Sequence, residues 1–330
     1  MTTTTSSSRR SDWPAARLAR VLTFVETGSE MAMIHREQLV IDGLETSYLS
    51  AGEALTPPVV LLHDGAWGGS AEASWGDVIP ILATRYRVIA PDLYGYGRSS
   101  KMVQFDVAPY EFRLRQVAGL LDAVGLGAVP VHMVGNSFGG GMAIRASTLP
   151  WFAWRVRSAV SISGTGGPYR TKESLAALSH FDGSREDMLR IVRLLTGDFD
   201  GIDAHVELRM RYATNAGHYR AVAAAGLATP FSATMKLEDP YPENLRQGTA
   251  ALALVSGTND DLVEGNWAHK IAEHVPRCAV YELAARHSPN ISAPEATATL
   301  LMEILGTFDE HALERGGVPG VDDGCSGGRG

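Results

Sequence analysis

The run Val131-His-Met-Val-Gly-Asn-Ser-Phe-Gly-Gly-Gly-Met142 constrains the fold more than any other stretch: an apolar segment with strand character ends in a G-x-S-x-G turn and passes directly into a helix-forming one. Such a turn holds its central serine at the tip of a strand in a strained backbone conformation, and small residues such as Gly135 and Gly139 let strand and helix approach. Ser137 is therefore the candidate nucleophile. A hydroxyl is weakly nucleophilic at neutral pH, so it needs an imidazole to take its proton and a carboxylate to fix the tautomer of that imidazole. In a strand-turn-helix setting these partners follow in the order serine, acid, histidine.

The chain is long enough for one large domain with an insertion: 330 residues, 45% hydrophobic. Its net charge of -8 and lack of a basic run argue against nucleic-acid binding. The two cysteines, Cys278 and Cys325, suggest neither a disulfide framework nor a cysteine-rich metal site, so a cytoplasmic setting with no metal is expected. No apolar run reaches the roughly eighteen residues of a membrane span, and the Thr/Ser-rich start lacks the apolar core of a secretion signal. Residues 1–33 read as a disordered or partly helical extension, with a short helix possible over 15–25, and 311–330 as a disordered Gly-rich tail.

Between these ends strand and helix patterns alternate, the mark of a mostly parallel sheet with helices on both faces. Residues 38–41 and 46–50 flank Asp42-Gly43, a hairpin signal that supplies an antiparallel edge. Buried-strand runs follow at 59–62, 86–90, 131–134 and 156–162, then at 250–255 and 278–283, for eight strands in all. Helical patterns cover 108–124, 138–147, 265–274 and 294–308. The division is a first core part over 34–164, a helical lid over 165–249 and a second core part over 250–310. Within the lid, 186–195 and 204–225 read as amphipathic helices, and 228–244 as a Pro-containing return to the core. Helices above the strand ends would roof a cavity and exclude water.

The acid is expected in the turn after the strand at 250–255, where Asp260 is the first choice and Asp261 the reserve, one of the two capping the next helix. The base is His287, on the loop after the strand at 278–283. His132 lies inside a buried strand pattern and His269 and His274 on a helix face, so these read as structural or solvated. An oxyanion hole needs two converging backbone N–H groups. Phe138, at a helix N-terminus, supplies one, and Gly65 in the loop His63-Asp-Gly-Ala-Trp-Gly-Gly69 supplies the other. No Lys-Ser/Thr pair follows that loop, which disfavours a phosphate cradle.

Over 59–164 and 250–305 the chain resembles the α/β-hydrolase superfamily, and within it the meta-cleavage product hydrolases, which split vinylogous 1,5-diketones derived from aromatic rings. The matching residues are His63 to Trp75, Arg87-Val-Ile-Ala-Pro-Asp-Leu-Tyr-Gly-Tyr-Gly-Arg-Ser99 and Gly135-Asn-Ser-Phe-Gly-Gly-Gly141. The resemblance implies an eight-stranded α/β-hydrolase fold, a small-molecule substrate, no cofactor and a homodimer or larger assembly. It also implies substrate contacts from Asn136, Asp64, Trp67 and the pair Arg211-Tyr212. Three positions depart from the pattern. Asp64 replaces a glycine beside the hole, where its charge would oppose an oxyanion unless turned away or neutralised. Arg286 replaces the glycine before the histidine, and Ser288 a bulky tryptophan after it. Carbon–carbon cleavage is the leading chemistry, with ester, lactone or polyketide-tailoring hydrolysis as the alternative and a non-catalytic ligand-binding role as the second.

Overall fold

A computed structural model of the chain describes residues 32–224, 227, 240–275 and 277–315. The sequence expectations for 15–25, 228–239 and the tail from 316, Cys325 included, lie outside the described residues.

Eight strands form one sheet: β1 (His35–Ile41), β2 (Leu44–Ala51), β3 (Pro58–Leu62), β4 (Arg87–Pro91), β5 (Val131–Asn136), β6 (Val156–Ile162), β7 (Ala251–Gly257) and β8 (Cys278–Leu283), in the order β1-β2-β4-β3-β5-β6-β7-β8. The hairpin β1-β2 turns at Asp42 and Gly43, both at positive φ as a tight hairpin with right-handed strand twist requires. β2 joins β4 antiparallel, and from β4 to β8 the pairing is parallel.

The helices are α1 (Ala71–Trp75), α2 (Ile79–Leu82), α3 (Pro109–Ala123), α4 (Phe138–Ala146), α5 (Lys172–Ser179), α6 (Arg185–Thr196), α7 (Ile202–Ala213), α8 (His218–Ala224), α9 (Trp267–Ala272), α10 (Pro289–Ser292) and α11 (Pro294–Arg315). Strands buried on both faces read as unbroken apolar runs, which is why β3 was visible in the sequence. Their side chains then divide by the period of two. Val60, Leu62, Ile89, Met133, Leu252 and Leu254 meet α3, α4 and α9 through Leu114, Val117, Leu120, Met142 and Ile271. Val59, Leu61, Val88, Val134, Ala253 and Val255 meet α1, α2 and α11 through Trp75, Ile79, Leu82, Ala298, Leu301 and Leu305. Each such Leu, Ile or Val contributes about 1.5–3 kcal/mol of transfer free energy, so these two layers fix the platform for the strand ends.

Helices α5 to α8 are inserted between β6 and β7 and carry a core of their own, in which Phe181, Met188, Ile191, Leu195 and Val206 pack on Ala66, Trp67 and Leu262. Two expectations change here. The single helix over 204–225 is two, α7 and α8, separated at Asn215-Ala216-Gly217. α5 went unnoticed in the sequence, although Thr171 caps it by accepting the Ser174 N–H. At the other end α11 continues through Arg315, past the expected stop at 308 and into the segment expected as tail. The residues after Phe308 are mostly good helix formers, and the first strong breaker is Gly316-Gly317. No described helix is long and apolar enough to cross a membrane.

Candidate active site

Ser137 stands between β5 and α4 at φ 55°, ψ -116°, a region a non-glycine residue occupies only when its surroundings force it. The forcing is packing. A Cβ on Gly135 would lie 2.1 Å from the Gly139 carbonyl, and one on Gly139 2.2 Å from the Leu62 carbonyl oxygen, so only glycine lets β5, β3 and α4 meet. The Ser137 N–H is held by the Ile162 carbonyl at 2.8 Å, and the Ser137 carbonyl accepts from Gly141 at 3.0 Å.

Asp260 and His287 come to the serine from the loops that follow β7 and β8, at the same carboxyl edge of the parallel strands. Ser137 Oγ and His287 Nε2 are 2.8 Å apart, and His287 Nδ1 and Asp260 Oδ2 are also 2.8 Å apart. His287 is buried and the Asp260 side chain is 2% exposed, whereas Ser137 is partly accessible. Burial would raise the Asp260 carboxyl, but the facing imidazole and the Leu262 N–H outweigh it and hold the group below its usual range. An ionised Asp260 requires the proton on Nδ1, which leaves Nε2 to accept from the serine hydroxyl. The loops are locked in register by the Asn259 N–H, which donates to the Ala285 carbonyl at 3.0 Å. Asp261 is 79% exposed and pairs with Arg286 at 3.1 Å. Neither aspartate caps α9, whose N-cap is Asn266; Asp260 Oδ1 instead accepts from Leu262 in a tight turn.

Gly65 and Phe138 adjoin: a Cβ on Gly65 would come within 3.0 Å of the Phe138 Cβ. The Gly65 peptide is oriented from both sides. Tyr96 Oη donates to the Gly65 carbonyl at 2.9 Å. His63 Nε2 accepts from the Leu93 N–H at 2.9 Å, so its proton sits on Nδ1, which donates to the Asp64 carbonyl at 2.6 Å. Fixing that carbonyl turns the Gly65 N–H the opposite way, because the peptide is planar and trans.

The expected substrate contacts are engaged elsewhere. Asn136 is fully buried: its Nδ2 donates to the His287 carbonyl at 2.9 Å and its Oδ1 accepts from Ser288 Oγ at 3.0 Å, so it holds the histidine loop. The Asp64 carboxylate forms a buried ion pair with Arg209 at 2.6 Å. Trp67 is 2% exposed, donates to the Leu178 carbonyl and stacks among Phe181 and Tyr219. Arg211 is exposed in a cleft of about 850 Å³ with Asp77, His205 and Glu295 that contains none of Ser137, Asp260 or His287. Tyr212 donates to Glu72 and accepts from Arg36, tying α7 to α1 and β1. The cation the sequence reading missed is Arg209. Its signal was helical spacing, since Val206, Arg209 and Ala213 form the buried face of α7 and Arg211 falls off it.

A second serine-histidine-aspartate chain lies at the opposite end of β5. His132 Nδ1 is 2.7 Å from Ser158 Oγ and its Nε2 is 3.1 Å from Asp309 Oδ1, which Arg157 holds at 2.7 Å. Ser158 and His132 are fully buried, so no substrate reaches them, and the cluster serves to anchor α11 to the sheet.

Buried histidines set an acid limit on stability. Burial lowers the pKa of His63 and His132; burial with the nearby Arg209 takes His205 to about 3, and burial with Lys101 takes His218 to about 4. Below the unfolded value near 6.5 the unfolded chain binds protons that the native state refuses, so stability is full above pH 6.5 and falls as pH drops toward the lowered values. At pH 5 the loss is on the order of 2 kcal/mol for each strongly shifted histidine. Thermal melts should show a clearly lower Tm at pH 5 than at pH 7.5, and His218→Gln, which keeps an acceptor for the Gly68 N–H, should narrow the gap. Equal Tm values at the two pH values would contradict this.

The model of the alpha/beta hydrolase family matches residues 59–300, and the chain belongs to that family. It is 31% identical over 266 residues, 80% of this chain and 88% of the relative, to the 2-hydroxy-6-oxo-6-(2'-aminophenyl)hexa-2,4-dienoic acid hydrolase of Metapseudomonas resinovorans. It is 30% identical over 287 residues, 84% of this chain and 95% of the relative, to the 2-hydroxymuconate semialdehyde hydrolase of Pseudomonas sp. strain CF600. Among solved structures, a serine hydrolase involved in carbazole degradation superposes with a TM-score of 0.68 at 28% identity, over 83% of this chain and 99% of the other.

Proposed function

We propose that this protein is a cofactor-independent serine hydrolase that cleaves a carbon–carbon bond of a vinylogous diketone, with Ser137 as nucleophile, His287 as base and then acid, and Asp260 as the orienting carboxylate. The observation that carries the reading is the unbroken chain of two 2.8 Å contacts from Asp260 through His287 to a serine on a strained turn. The likeness to hydrolases of ring-fission dienoates supports the substrate class.

In this reading Ser137 Oγ adds to the carbonyl while His287 takes its proton, and the N–H groups of Gly65 and Phe138 receive the developing negative charge. Collapse of the adduct breaks the adjoining carbon–carbon bond. For a 2-hydroxy-6-oxo-dienoate the enol proton first moves to C5, giving the 2,6-dioxo-3-ene. On collapse the electron pair of the C5–C6 bond then passes into the enone as a dienolate, which takes up a proton, and the acyl group stays on Ser137 until water, giving its proton to His287, releases it as a carboxylic acid. The inserted helices α5 to α8 act as the lid, and Asn136 keeps the His287 loop in place. The test is a comparison of kcat/KM for 2-hydroxy-6-oxo-dienoates with aryl or alkyl groups at position 6 against aryl esters and lactones. The proposal expects a preference of roughly 100-fold or more for a dienoate. Turnover of esters alone would move the assignment to ester hydrolysis, and turnover of none would remove it.

A further inference from the structure

We infer that the buried Asp64–Arg209 pair positions the oxyanion loop and makes the hole depend on helix α7 of the inserted segment. This deepens the proposed function and rests on it, because it concerns the Gly65 donor.

Both side chains are fully buried. Asp64 accepts four hydrogen bonds: at Oδ1 from the Ala66 N–H at 2.9 Å and Arg209 Nη1 at 3.3 Å, and at Oδ2 from Ser74 Oγ at 2.7 Å and Arg209 Nη2 at 2.6 Å. Arg209 Nη1 also donates to the Trp67 carbonyl at 3.1 Å, and Nε donates to His205 Nε2 at 2.9 Å. Four of the five guanidinium N–H groups thus donate to protein atoms, and the side chain is fully buried, so it presents no accessible face to an anionic substrate. What it holds is the loop. Residues on either side of Gly65 are bonded to the Asp64 carboxylate or to Arg209 itself. Three positions after Gly65, the Gly68 N–H donates to His218 Nε2 on α8 at 3.1 Å. The backbone of Gly68 also approaches α7 so closely that a Cβ there would lie 2.3 Å from the Arg209 carbonyl oxygen.

The pair has a second effect, through charge. An unpaired carboxylate one residue from the oxyanion donor would oppose the charge that forms in the hole, and in a dry site that opposition is strong. Arg209 cancels it. Burial alone would favour the protonated acid, but the guanidinium keeps Asp64 ionised far below the usual carboxylate range. The pair therefore fixes the loop without leaving a net charge beside the reacting oxygen. Removing the arginine alone should be worse than removing both charges.

The experiment uses the full chain, with each variant's active sites titrated by a fluorophosphonate so that kcat is counted per folded, reactive Ser137. Arg209→Gln should lower kcat roughly 100-fold, with KM changed by no more than about threefold, since the lost interaction acts in the transition state. The double variant Asp64→Asn/Arg209→Gln should regain about tenfold of that loss, because the uncompensated carboxylate is gone while a neutral hydrogen-bonded pair remains. A pair that only held the fold together would reduce the number of titrated sites and leave kcat per site unchanged. That result, or a double variant no better than the single, overturns the inference. If Arg209→Gln yields no folded protein, Asp64→Asn is read in the same way: a fall of roughly tenfold in kcat per site supports the inference and an unchanged value overturns it. A wild-type protein that the fluorophosphonate does not label would overturn the proposed function itself, and the inference with it; labelled wild type with indifferent variants overturns the inference alone.

Discussion

Ser137→Ala should lower kcat by roughly four to six orders of magnitude while leaving Tm within a few degrees of the parent. The side chain lost is small. The turn that presents it is fixed by the Gly135–Gly139 and Gly139–Leu62 approaches and by the Ser137 N–H bond to Ile162, none of which involves the hydroxyl. The deletion therefore removes the attacking atom and leaves His287 Nε2 without its 2.8 Å partner, but it opens no cavity in either core layer. Substrate should still bind, so KM or the dissociation constant from titration should change little. Steady-state kinetics beside thermal melts reads both quantities. A variant with parental kcat would mean that the carbonyl is attacked by something else.

Asp260→Asn should cost roughly 10³ to 10⁴ in kcat, and Asp261→Asn almost nothing. The two carboxylates are adjacent in sequence, yet only Asp260 is buried against His287 Nδ1. An amide in its place can offer its own N–H to the imidazole and leave the proton on Nε2, the wrong nitrogen for accepting the serine proton. Asp261 instead forms an exposed pair with Arg286, of the kind worth about 0–1 kcal/mol. Equal losses in the two variants would undo the assignment of Asp260 as the orienting acid. The contrast needs only kcat for each, normalised to folded protein by circular dichroism.

These residues also show where sequence reasoning reached and where it stopped. The parallel strands were legible because a strand buried on both faces writes itself as an unbroken apolar run, as Val59 to Leu62 does. The turn that carries Ser137 was legible because it requires glycines at fixed positions, and that turn sets the expectation of an acid and then a histidine further along the chain. The choice between Asp260 and Asp261 was not, since a one-residue step in a turn carries no periodicity to tell a buried carboxylate from an exposed one. The segment inserted between β6 and β7 was harder still. Its helices were foreseen from amphipathic spacing, but the break at 215–217 and the short helix α5 depend on local backbone geometry that a polar, irregular stretch signals weakly. Arg209 drew no notice in the sequence because burial of a charge is not expected until its partner is known, and the partner, Asp64, lies 145 residues earlier. The three departures from the family pattern turn out to be paired: Asp64 with Arg209, Arg286 with Asp261, and Ser288 with Asn136. A sequence compared position by position reports such changes as losses; each one here gains a specific contact in the folded chain.

In the proposed mechanism an acyl group becomes covalently attached to Ser137 and is released by water that His287 activates. The most direct measurement is rapid-quench mass spectrometry of the protein mixed with a 6-aryl-2-hydroxy-6-oxo-dienoate. The expected result is a transient mass increase equal to the aroyl group on the peptide that carries Ser137, rising before free carboxylic acid appears and absent in Ser137→Ala. Release of the acid at the parental rate with no adduct at any time point, under conditions where an acylating inhibitor marks the same peptide, would contradict it.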